Sequence, residues 1–374
     1  MRFSLCATAW LCLLAMFKAP ISISAIDQGV RAGYWLSDSG LNVADIGQHI
    51  SNFTHIYFAF ATLSPNYILA EFSAGNIAQL NALVKAKSRS NPPIKTIMSI
   101  GGGDIAVSKL FSIMASQPAS RAAFINSTVN VARQFMFDGI DVDWEFQQNQ
   151  IDMNNLGLLF KELRANLETE AYTTGQVRLI LTAAVSYAPV LMNDAPLAYP
   201  VQQMSQSLDW INIMAYDYYG SDWSKVTGMH TALYDPNSNL NTNYGVKAWI
   251  NKGMPAKQIV LGLALYGRTW SLKNPNIHTI GSPAGPRKKD GGALTYSDVI
   301  EFNRVNKAYE VFDPVRVSWY CYSETTWISY EKNNSIALKV KYARAQGLRG
   351  YFFWYIGQDL TYELPRTASA TWLS

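Results

Sequence analysis

Apolar and polar positions along this chain form blocks whose period switches repeatedly between that of a strand and that of a helix. Residues 31–35 are a short apolar run, and 53–63 are almost continuously apolar and aromatic, which predicts strands buried on both faces. Ile77, Leu80, Leu83 and Val84 recur at helical spacing within 76–88, and Pro92-Pro93 stops any helix before the apolar run 94–100. A helix over 116–135, with Ser116 as its cap, then leads into an acidic strand ending near 146. The same rhythm predicts strands near 177–185, 208–216, 259–266 and 350–354, with helices near 153–173, 201–207, 243–252, 335–346 and 365–372. Eight strands alternating with helices predict an α/β fold, the (β/α)8 TIM barrel. Residues 270–328 break the rhythm with Pro, Gly, Lys and aromatics, and predict a small α+β insertion subdomain between strand 7 and helix 7, with a helical piece at 296–306 and a strand-like piece at 315–322.

The acidic strand is the chemical feature of the pattern: Phe137-Asp138-Gly139-Ile140-Asp141-Val142-Asp143-Trp144-Glu145-Phe146 sets four carboxylates in an apolar run. Alternation puts Asp141, Asp143 and Glu145 on one face and Ile140, Val142 and Trp144 on the other. Like charges so close, in a poorly solvated setting, keep at least one carboxyl protonated near neutral pH, as a general acid requires. On a barrel the active site lies where strands end at the C-terminal face. Glu145, Ser99, Gly102, Tyr216, Asp217 and Trp354 each fall at or just past such an end. The glycine and ligand spacing of a calcium loop are missing and no His neighbours the acids in sequence, so no metal and no cofactor are expected.

Composition narrows the class. The 374 residues are 49% hydrophobic and 16% charged, enough for one large core and too apolar for a disordered chain. Residues 1–25 have the layout of a signal peptide: Arg2, an apolar segment over 5–17, then Ser22, Ser24 and Ala25. That segment is short of the roughly 20 residues needed to span a bilayer, so secretion is expected and no membrane association. The domain proper is then 26–374, carrying 29 basic against 27 acidic residues. This near balance, with only Arg287-Lys288-Lys289 as a basic run, argues against a nucleic-acid partner. Cys6 and Cys12 lie in the leader, which leaves Cys321 without an internal disulfide partner. Sequons at Asn52, Asn126 and Asn333 fit a secreted glycoprotein.

The motif Asp138-x-x-Asp141-x-Asp143-x-Glu145 resembles the signature of glycoside hydrolase family 18. Ser99-Ile100-Gly101-Gly102, Met214-Ala215-Tyr216-Asp217-Tyr218-Tyr219-Gly220 and Gly350-Tyr351-Phe352-Phe353-Trp354 follow in the family's order. With Asn274-Pro275-Asn276-Ile277-His278 and Tyr320-Cys321-Tyr322-Ser323 the chain is similar to the plant class V chitinases, from about residue 30 onward. The resemblance implies a monomer acting on chitin or N-acetylglucosamine oligosaccharides, in plant defence or in remodelling chitin-derived signals. It implies Glu145 as proton donor, Asp143 as partner of the substrate's acetamido N–H, Asp141 sharing a proton with Asp143, and Tyr216 as donor to the acetamido oxygen. Trp354, Asp217, Tyr34, Phe60, Gly102 and Ser99 would hold the sugar, and Asp138 would be structural. The family's substrate-assisted route also explains why Glu145 lacks a carboxylate opposite, since an ordinary retaining pair stands about 5 Å apart across the sugar. A lectin with little turnover and a hydrolase of acylated chitin-like oligosaccharides remain alternatives. An extracellular location is favoured over the vacuole.

Three stretches depart from the plant pattern: Gln147 replaces a proline, Arg268 replaces an aromatic, and Ser318-Trp319 replace a smaller, more polar pair. Trp144, Trp35, Trp210, Trp249 and Trp372 are expected in the core. Trp223, Trp270 and Trp327 are divided between packing and sugar stacking.

Overall fold

A computed structural model describes residues 29–37, 39, 46, 47, 49–192 and 195–374; the expected leader at 1–25 lies outside the described residues. Eight parallel strands close into a barrel: β1 (Val30–Leu36), β2 (His55–Ala61), β3 (Lys95–Gly102), β4 (Gly139–Trp144), β5 (Ile180–Ser186), β8 (Trp210–Met214), β9 (Ile259–Ala264) and β16 (Gly350–Ile356). The ring closes through pairing of β1 with β16. Helices α1 (Ala74–Arg89), α2 (Ile105–Ser116), α3 (Pro118–Gln134), α4 (Gln150–Thr174), α5 (Val201–Ser207), α6 (Thr242–Asn251), α8 (Asn333–Ala345) and α9 (Glu363–Leu373) alternate with them.

Alternation along each strand divides the core in two. Tyr34, Tyr57, Ile97, Trp210, Val260 and Phe352 fill the barrel interior. Ile140, Val142 and Trp144 face outward into the larger core beneath the helices, where Trp144 stacks on Phe111 at 5.5 Å. The apolar runs were continuous because both strand faces are covered. Among the described residues no helix is long and apolar enough to cross a membrane.

The sequence expected a single helix over 116–135, whereas two are present. Asp104 caps α2 by accepting from the Ala106 N–H at 2.7 Å, and Pro118 opens α3. Ser116 therefore ends the first helix and does not cap the second; its hydroxyl donates back to the Ile113 carbonyl. A short hairpin, β6 (Val190–Met192) with β7 (Pro196–Ala198), follows β5 and had no sequence signal.

The insertion lies between β9 and α8. Strands β10 (Tyr266–Leu272), β11 (Ala284–Pro286), β12 (Ala293–Thr295), β13 (Tyr309–Asp313), β14 (Ser318–Ser323) and β15 (Thr326–Tyr330) form one antiparallel sheet, with α7 (Tyr296–Asn306) against it. Its sheet begins at Tyr266 and ends at Tyr330, wider than 270–328, because the first strand continues almost directly from the barrel strand. Trp270 and Trp327 are fully buried in it and pack edge to face, while Trp223 is 54% exposed.

Candidate active site

Asp141 sits at the middle of β4, pointing into the barrel, where register decides its neighbours. It pairs with Ser99 on one side and Thr182 on the other. Thr182 Oγ1 donates to its Oδ1 at 2.6 Å, Ser99 Oγ to its Oδ2 at 2.8 Å, Tyr34 Oη to Oδ2 at 2.9 Å, and Asn212 Nδ2 to Oδ1 at 3.4 Å. Full burial pushes its pKa above the usual carboxylate range, and the four donors pull it back. A carboxyl that accepts from four donors is placed as an anion.

Asp143, two residues on and also buried, has the opposite surroundings. Burial, then the charges of Glu145 and Asp141, push its pKa well above the usual range, and its Oδ1 has no hydrogen-bond partner. Both carboxyls are raised by burial, but only Asp141 has donors that oppose the rise, so Asp143 is the one of the two whose surroundings favour the neutral form more strongly.

Glu145 lies just past the end of β4, half-buried beside Gly103. Burial first, and the Asp217 charge second, push its carboxyl up to about 7. With Phe146, Tyr187, Tyr216, Asp217 and Leu240 it lines a cavity of about 280 Å³ at the barrel mouth. Burial and the surrounding carboxylates hold the Tyr216 phenol well above its usual pKa, so it stays a hydrogen-bond donor.

Asp217 lines the same cavity as Glu145, and its charge acts on that carboxyl. The Asp217 carboxylate is itself occupied. Arg268 Nε donates to Oδ1 at 2.7 Å and its Nη2 to Oδ2 at 2.6 Å, Tyr266 Oη donates to Oδ1 at 2.8 Å, and His230 Nδ1 lies 3.6 Å away. These partners hold the Asp217 carboxyl far below its usual range against the effect of burial. They also fix a left-handed backbone, φ 61°, that an Asp adopts at some cost.

The remaining expected residues divide between the mouth and its foundation. Trp354 and Phe60, 5.8 Å apart, cap the inner aromatic cluster at the strand ends. Gly102, at φ +89°, packs under Phe60, where a Cβ would stand 2.7 Å from the ring. Tyr34 and Ser99 are buried below Asp141 and donate to it, so they support the acid from beneath. Asp138 faces away from the mouth and accepts from the Thr96 N–H at 2.7 Å and from Lys87. Of the departures, only Arg268 reaches the site. Gln147 turns back onto the Trp144 carbonyl, while Ser318 and Trp319 bond to Thr231 and Asn334.

Asn212, Thr182, Tyr266 and His230 were missed from sequence, and Arg268 was singled out there without its partner Asp217. For Asn212 a signal existed, since strand parity puts it on the inward face with Trp210 and Met214, and a polar residue there must find a partner.

The family model for glycosyl hydrolases family 18 matches residues 30–359. The chain is 43% identical to class V chitinase CHIT5 of Lotus japonicus over 347 residues, covering 92% of this chain and 86% of that protein. Its structure superposes on that of a class V chitinase from Nicotiana tobaccum in complex with NAG4 with a TM-score of 0.87, at 41% identity, covering 92% of this chain and 99% of that one. A GH18 chitinase from Cycas revoluta in complex with (GlcNAc)3 gives a TM-score of 0.86 at 39% identity, with the same coverage.

Proposed function

The chain belongs to glycosyl hydrolase family 18, and on that premise we propose that this glycoside hydrolase is a secreted chitinase, cleaving β-1,4 links between N-acetylglucosamine units with retention and assistance from the substrate. The observation that carries this reading is the buried, partnerless Oδ1 of Asp143 behind Glu145, whose carboxyl is pushed up to about 7. An unsatisfied buried carboxyl oxygen costs about 1–3 kcal/mol until a donor arrives. The N–H of a 2-acetamido group is such a donor, and the same group carries the carbonyl oxygen that can close on C1, which the 2-hydroxyl of a plain hexose does not supply.

The steps follow from the placement of each group. Glu145 gives its proton to the glycosidic oxygen as the C1–O bond breaks, and the leaving sugar departs as an alcohol. The acetamido oxygen of the same sugar supplies the electron pair that closes on C1, with Asp143 holding the N–H and Tyr216 donating to that oxygen. Water then attacks C1 from the vacated side, Glu145 takes its proton, and the acetamido group is released. Two inversions leave the configuration retained. Asp217 could serve as a nucleophile in an ordinary two-carboxylate route, but Arg268 and Tyr266 already hold both its oxygens. Its place is to bind the sugar and keep Glu145 protonated.

The test is hydrolysis of N-acetylglucosamine oligomers with the products followed over time. Cleavage to shorter oligomers supports the reading. Tight binding without cleavage from pH 4 to 8 would instead favour a lectin.

A further inference from the structure

His230 is fully buried, and neither of its ring nitrogens has a hydrogen-bond partner. An apolar side chain would fill such a place without the cost of about 1–3 kcal/mol that an unsatisfied buried polar group carries. The ring is nevertheless aimed. Its Nδ1 lies 3.6 Å from Asp217 Oδ1, just beyond hydrogen-bond length, and the ring tilts against that of Tyr266 at 5.0 Å. The Asp217 side chain is 33% exposed, so the imidazole stands behind a carboxylate whose open side belongs to the catalytic cavity.

Four contacts fix the backbone that carries this ring. The His230 N–H donates to Ser329 Oγ at 3.1 Å, and its carbonyl accepts from the Tyr218 N–H at 3.1 Å, which ties it both to β15 and to the residue after Asp217. Thr231 shares a hydrogen bond with Ser318 at 3.1 Å, and its carbonyl accepts from Lys339 of α8, itself paired with Glu331. So anchored, the ring keeps its aim at Asp217 without a hydrogen bond of its own.

The charged groups that act on the ring are Asp217, Arg268 and Glu331, with the Tyr266 phenol beside them. Burial lowers its pKa against the pull of Asp217, so the ring is neutral and carries one proton. Placed on Nε2, that proton would leave the Nδ1 lone pair facing the carboxylate. Placed on Nδ1, it presents an N–H dipole to the negative charge in a poorly screened interior, which is the favourable choice.

We propose that His230 is a positioning residue for the hydrolysis: its Nδ1–H backs the Asp217 carboxylate from the protein interior and keeps it turned to the sugar in the cavity. This rests on the chitinase reading for the sugar, and adds to it a residue that lines no part of the catalytic cavity. Arg268 and Tyr266 hold the same carboxylate from β10, and His230 holds it from the segment that Tyr218 anchors.

The experiment compares His230→Asn with His230→Gln in the full-length protein. The amide nitrogen of Asn falls near the place of Nδ1, and that of Gln near the place of Nε2. On the N-acetylglucosamine tetramer, kcat/KM should fall about tenfold in the Gln variant and stay within about twofold of the parent in the Asn variant. A role in packing alone reverses this order, because Gln is closer to His in volume. The loss in the Gln variant should also vanish when Asp217→Asn is already present, since the ring then has no charge to hold. Nitrogen-15 NMR of the imidazole, assigned by the signals lost in the Gln variant, should show the neutral Nδ1–H form at pH 7. Equal losses in the Asn and Gln variants would overturn the proposal, as would a loss of the same size with and without the Asp217 charge, or a proton found on Nε2. A parent that fails to cleave the tetramer contradicts the chitinase reading, while the ring spectrum needs no substrate and still decides whether His230 backs Asp217.

Discussion

Arg268, on the first strand of the insertion, grips both oxygens of Asp217, on the loop after β8, in a two-point bridge that also lies over the Trp223 ring at 5.0 Å. The insertion is thereby tied to the wall of the catalytic cavity. Arg268→Ala leaves Asp217 beside Glu145 with its backbone strain unsupported, and kcat/KM should fall about tenfold or more, from loss of a charge-assisted pair worth about 1.5–3 kcal/mol. Arg268→Lys should recover only part, since an ammonium cannot reproduce the fork. Unchanged kinetics in the alanine variant would show the bridge to be irrelevant to turnover.

The pH profile should report Glu145. As the acid, it must be protonated, and its carboxyl lies at about 7, so kcat should decline as pH rises through that value. The Asp217 charge is one cause of the raised value. Asp217→Asn removes that charge and leaves Arg268 unpaired, and both changes favour the ionised form of Glu145. The alkaline limb must therefore move to lower pH; a shift upward contradicts the assignment.

Glu145→Gln keeps the shape of the cavity and deletes the proton. Turnover should drop by about 10²–10⁴-fold while oligosaccharide affinity is retained, as measured by calorimetry beside steady-state kinetics. Substantial residual hydrolysis would place the acid elsewhere.

Thr182→Val is nearly isosteric and removes the shortest of the four hydrogen bonds to Asp141. A buried carboxylate oxygen losing a donor should destabilise the fold by about 1–3 kcal/mol and lower kcat without raising KM. A variant with parental melting temperature and kcat would mean that Asp141 does not depend on that hydroxyl.

What was legible in the sequence lay within single elements. The parity of Asp141, Asp143 and Glu145 is a property of one strand, and the alternation of apolar runs with helical stripes announced the barrel. The surroundings that separate Asp141 from Asp143 come from other strands: Thr182 is 41 positions from Asp141 and Asn212 is 71. No local pattern encodes such a meeting, although the barrel register would have paired Thr182 and Ser99 with Asp141 once the strands were aligned. Arg268 was visible as a departure from the plant pattern, but its partner was hidden by the 51 positions that separate it from Asp217. The helix Ile105–Ser116 did carry a local signal, since Asp104 is a capping residue type directly ahead of its apolar positions.

The central claim is that the substrate's own acetamido group does what a second carboxylate would otherwise do. It is tested most directly by comparing the N-acetylglucosamine tetramer with the same tetramer deacetylated at the sugar whose bond is cleaved. The account predicts rapid cleavage of the first, with the β configuration in the new reducing end, and no measurable cleavage of the second. Comparable rates on both would contradict it.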